Sequence, residues 1–79
     1  MSYEWMNPEK IGKTLLGLRK EKQETTEQLA EALGISQSAV AMYENGRRIP
    51  RDEIKIRIAE HFGVTVESIF FPEKQHAPC

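Results

Sequence analysis

Residues 25–46, TTEQLAEALGISQSAVAMYENG, read as two short helices meeting at a tight corner, and the rest of the chain is arranged around them. Thr25 is placed to cap the first helix, because its hydroxyl can accept a backbone N–H that has no helical partner while Gln28 reaches back to the cap. Leu29, Ala30 and Leu33 then recur at one-turn spacing. Gly34 follows where a left-handed residue ends a helix without a Cβ penalty, and Ile35 is expected to bury the corner. Ser36 is a second cap. The helix behind it places Val40 and Tyr43 on one face and Gln37, Ser38, Ala41 and Met42 on the others, and Gly46 closes it. A small residue at position 30, a glycine four residues later and a branched apolar residue six beyond that are what two helices crossing at a wide angle require.

Upstream, Asn7-Pro8-Glu9 is a helix start, with Asn7 as cap, Pro8 at the first helical position and Glu9 favoured by the dipole. The helix is predicted to reach about Lys22, with Ile11, Leu15 and Leu18 as its inner stripe and Lys10, Lys13, Lys20 and Lys22 leaving by the other sides. Downstream, Pro50 stops Arg47-Arg48-Ile49 from continuing as helix, and Ile49 is expected to plug the core. A fourth helix begins near residues 51–53, shows Ile54, Ile58, Ala59 and Phe62 at helical spacing, and ends at Gly63. A fifth, short helix runs from Thr65 to about Phe71 with Val66, Ile69 and Phe70 inward, and Pro72 stops it. The pattern predicts an all-α, five-helix domain over residues 8–71, an N-terminal arm over 1–7 and a polar tail over 72–79. Trp5 in the arm either packs on the domain or belongs to a frayed end.

Seventy-nine residues with 39% hydrophobic and 29% charged content suit one small helical domain with a modest core. No apolar run approaches the length of a membrane span, and MSYEWMNPEK has no signal-peptide character. A lone Cys79 excludes an internal disulfide and agrees with a reducing compartment, so the bacterial cytoplasm or nucleoid is the expected location. The net charge is −1. The charges are segregated, however: Arg47, Arg48, Arg51, Lys55 and Arg57 follow the central motif, while Glu21, Glu24, Glu27 and Glu31 precede or begin it. Such a basic rim can hold a phosphate backbone on a slightly acidic molecule, with weak non-specific affinity as the consequence.

Through LRKEK, TEQLAEALGIS, YENGRRIP and IAEHFGVTVESIF, from about Ile11 to Phe70, the sequence resembles the phage-repressor and Cro-like, or XRE-type, helix-turn-helix family of DNA-binding proteins. The resemblance implies a lambda-repressor-like fold in which helices 2 and 3 form the helix-turn-helix. It also implies an ion pair between Arg19 and Glu44, against which stands the plain reading of Arg19 as a solvated residue. If helix 3 lies in a major groove, Gln37 is the first candidate for reading bases, because an amide can donate and accept together at the N6/N7 edge of adenine. Ser38 can reach either kind of edge. Ala41 and Met42, exposed on this reading, would touch thymine methyls, unless Met42 turns into the core.

The family sets a glutamine against a phosphate at the start of helix 2, and Thr26 stands there in this chain. Asn45, Arg47 and Arg48 match positions that clamp neighbouring phosphates, the alternative being a merely solvated loop. One such helix reads few base pairs, so the resemblance implies a homodimer on a two-fold operator, with readers about one helical turn, ~34 Å, apart. Ile69, Phe70 and Phe71 are the candidate dimer surface, unless they complete the monomer core. The function expected is transcriptional repression through double-stranded DNA. The competing reading is an antitoxin or co-regulator that binds a regulatory protein partner. No enzyme constellation, cofactor, membrane contact or small-molecule ligand is expected, and His61, His76 and Cys79 do not make a metal site.

Overall fold

In the computed structural model, which describes residues 7–71, the predicted caps open the helices. Asn7 Oδ1 accepts the N–H groups of Glu9 and Lys10 at 2.9 and 3.2 Å, and α1 runs Pro8–Glu21. At the start of α2, Thr26–Leu33, Thr25 and Gln28 form a reciprocal capping box, with bonds of 3.0 and 2.9 Å. Gly34 turns left-handed and Ser36 then caps α3, Gln37–Glu44. The last two helices are α4, Asp52–Phe62, and α5, Val66–Phe70, whose cap is Thr65. All described regular structure is helical, as the periodicity predicts. The arm with Trp5 and the tail with Pro72, His76 and Cys79 lie outside the described residues.

α3 packs against both α1 and α2, α4 lies against α2, and α5 closes the opposite side on α1 and α4. The core between them is Ile11, Leu15, Leu29, Leu33, Val40, Ile54, Ile58, Ile69 and Phe70, with Tyr43 at its edge. Burying each large apolar side chain stabilises the fold by about 1.5–3 kcal/mol, most of which offsets chain entropy. Ile35, Ile49 and Phe62 are half-buried against this core. Ile69 and Phe70 are 2% and 0% exposed, so helical period rather than surplus decides their place: they complete the monomer and offer no surface. Of the expected dimer residues only Phe71 is partly exposed.

One contact that defines the packing lies outside the local pattern. Gly12, buried in the middle of α1, faces the end of α3 so closely that a Cβ there would sit 2.4 Å from the Glu44 carbonyl oxygen and 2.7 Å from that of Tyr43. α1 can approach α3 only because position 12 has no side chain. Gly46, with φ +75°, lets the chain leave α3 and seat Arg47, whose N–H donates to the Met42 carbonyl at 2.9 Å. Between α1 and α2 the turn is made by Gln23 at φ +58°, a left-handed conformation on a residue with a Cβ.

Candidate nucleic-acid interface

The exposed edge of the helix-turn-helix is assembled from the first residues of both its helices. Gln37 opens α3, and its Nε2 donates to Thr26 Oγ1, the first residue of α2, at 2.8 Å. The hydroxyl thus holds the amide across the corner, leaving Gln37 Oε1 and one N–H unengaged for another partner. Ser38 beside it is exposed, while Ala41 and Met42 are half-buried. That corrects the expectation that the last two stand fully exposed. Their helix turns them partly toward the body, so only part of each can meet a ligand.

The C-terminal end of α3 is fixed by the Arg19–Glu44 pair. Arg19 Nε donates to Glu44 Oε2 at 2.6 Å and Nη2 to Oε1 at 3.1 Å, a fork-on-carboxylate contact with both side chains largely buried. Arg19 Nη1 also donates to the Glu24 carbonyl at 2.8 Å. Hydrogen bonding to Glu44 raises the Arg19 guanidinium above its ordinary value; burial opposes this, and the charges of Glu44 and Glu24 add to it. The pair ties α1 to the exit of α3.

The basic rim is smaller than composition suggests. Asn45, Arg47, Arg48 and Arg51 are exposed, and the three arginines make no ion pair among the described residues. Lys55 is instead buried, with its ammonium 5.5 Å from the ring centres of both Phe70 and Phe71 and 3.4 Å from Asp52 Oδ1. Arg57 turns the other way, donating to the Leu33 carbonyl at 3.0 Å and pairing with Glu53 at 3.1 Å. These two cations serve the fold and leave the rim.

His61 carries a role that its sequence position gives no sign of. Its Nε2 lies 2.8 Å from Glu24 Oε2, with both side chains mostly buried, and Lys22 Nζ donates to the His61 carbonyl at 3.1 Å. The end of α4 is thereby latched to the turn between α1 and α2. Among the described residues no three potential ligands come together to hold a metal ion, and no helix is long and apolar enough to cross a membrane.

The profile of the Helix-turn-helix family, HTH_3, matches residues 16–69. The chain is 39% identical over 49 residues to an uncharacterized HTH-type transcriptional regulator of Methanocaldococcus jannaschii, a match covering 62% of this chain and 74% of that one. Among solved structures it is similar to the restriction-modification controller protein C.AhdI from Aeromonas hydrophila, with 27% identity and a TM-score of 0.73 over 78% of this chain and 94% of that one. The clp gene regulator ClgR from Corynebacterium glutamicum is comparable, with 26% identity and a TM-score of 0.74 over 81% of this chain and 68% of that chain. A LexA SOS-response repressor from Eubacterium rectale shares the fold at a TM-score of 0.80 over 92% of this chain and 78% of that one, with 16% identity.

Proposed function

The chain belongs to the XRE-type helix-turn-helix family of DNA-binding transcriptional regulators, and from that premise we propose that it represses transcription by occupying a two-fold symmetric operator as a homodimer. The observation that carries this reading is an exposed amide held in place at the start of α3, with exposed, unpaired arginines on the loop that follows its end. Gln37, with Ser38 and the exposed parts of Ala41 and Met42, reads base edges; Thr26, Asn45, Arg47 and Arg48 hold the flanking phosphates. Arg51 joins that second group. The dimer contact lies on the α4–α5 side, where Ile56, 52% exposed, lies beside Val66 and Phe71 around an open depression of about 340 Å³. The protein acts in the bacterial cytoplasm, without a cofactor, and its family is not a class of enzyme.

The competing reading, an interaction module that binds a regulatory protein, is favoured by the same exposed Ile56 and by the net charge of −1. Salt separates the two, because phosphate contacts lose affinity steeply as salt rises and an apolar protein contact does not. The test is selection of duplexes from a random library, then titration of the selected site at several salt concentrations. A two-fold site should emerge. Gln37→Ala should relax its specificity at one base pair per half-site, at a cost of about 1–3 kcal/mol. If no sequence is enriched and no duplex binds even at low salt, operator occupancy is wrong.

A further inference from the structure

An acid that the proposed DNA contacts leave unused stands beside the loop assigned to phosphates. Glu9 stands exposed in the first turn of α1, directly against the loop that carries Asn45, Arg47 and Arg48. A Cβ on Gly46 would lie 3.1 Å from Glu9 Cα, 3.1 Å from its Cγ and 3.3 Å from its N, so the Glu9 side chain leaves from the surface of that loop. Its backbone N–H is capped by Asn7, and its carboxylate makes no hydrogen bond or ion pair among the described residues. Arg47 and Arg48, which follow Gly46 in the chain, likewise make no ion pair among the described residues.

We propose that Glu9 is an affinity-limiting residue, an acid at the phosphate edge that opposes sequence-independent binding of the DNA backbone. The proposal rests on the operator reading, since it needs Asn45, Arg47 and Arg48 to hold phosphates. A phosphate seated on that loop stands within about one Debye length of Glu9, ~10 Å at 0.1 M salt, where like charges still repel. The repulsion weakens all duplexes alike and leaves base discrimination to α3. Glu9 also favours the α1 dipole, and the test therefore uses a quantity that helix stability does not move.

Wild type, Glu9→Gln, Glu9→Lys and the control Glu21→Gln are titrated against the selected duplex and a scrambled one at rising salt, well below the melting transition of each protein. Glu21 is an exposed acid at the far end of α1, about 18 Å along the helix from Glu9 and away from the proposed dimer side, so it reports the effect of net charge alone. Glu9→Gln is expected to bind both duplexes about two- to threefold tighter at low salt, Glu9→Lys more so, with the gain fading as salt rises. An unchanged affinity for Glu9→Gln, or an equal gain for Glu21→Gln, overturns the proposal and leaves the operator reading standing. If wild type binds no duplex at low salt, that reading fails and the proposal fails with it.

Discussion

The loop after α3 and the helix that follows it each supply cations, and the two groups end in opposite places. Arg47, Arg48 and Arg51 remain exposed and unpaired among the described residues, whereas a few positions later Lys55 is buried and Arg57, although exposed, is bonded to the Leu33 carbonyl and to Glu53. Helical register makes the difference. Once α4 begins, Lys55 falls on the face that meets α5 and its stem is buried over two phenylalanine rings, while Arg57 reaches the end of α2. A basic cluster in a sequence is therefore an upper limit on a basic surface.

The strongest way to break this comparison is to displace the helix that carries the reading edge. Gly12→Ala would force a Cβ against the carbonyl oxygens of Tyr43 and Glu44, backbone atoms that cannot swing aside. We expect a loss of about 3 kcal/mol or failure to fold, measured by urea denaturation. Arg19→Met comes next. It leaves the Glu44 carboxylate, on a side chain 7% exposed, without its fork, and should cost about 3 kcal/mol; recovery in the Arg19→Met, Glu44→Leu double variant would show that the loss is mainly the stranded charge.

The two groups of cations can then be compared directly. Arg47→Ala should leave the melting temperature unchanged while weakening duplex binding several-fold and reducing the salt slope by about one. Lys55→Met should do the reverse, shifting stability by about 1 kcal/mol through the lost ring contacts and leaving the salt slope alone. If Lys55→Met flattened the salt slope as Arg47→Ala does, the assignment of Lys55 to the fold would be wrong. The smallest effect concerns the turn between α1 and α2. Gln23→Gly removes a left-handed strain at φ +58°, partly offset by a freer unfolded chain, and should stabilise by about 0.5 kcal/mol in the same denaturation assay.

Much of this molecule was readable without coordinates. Asn7, Thr25 and Ser36 cap the helices they were expected to cap, and Gly34 and Gly63 turn left-handed at the ends of α2 and α4. The Arg19–Glu44 pair, implied by family resemblance, is present with fork geometry. Gly12 carries no such signal, because a glycine inside a helix looks like a small propensity penalty until its neighbour is known. The bond from Gln37 to Thr26 and the latch from His61 to Glu24 also left no trace in the local pattern.

Caps, turns and the apolar stripes of helices depend on residues three or four apart, so the sequence alone determined that there are five helices, where they start and stop, and which faces turn inward. The tertiary structure decided what depends on elements far apart in the chain meeting in space. It settled which cations stay unpaired, that Ile69 and Phe70 belong to the core, that α1 can close on α3 at position 12 only because a glycine stands there, and that the leading amide of α3 is held by a hydroxyl from α2. These contacts are made between side chains whose separation along the chain carries no periodicity, and only the packing of the helices brings them together.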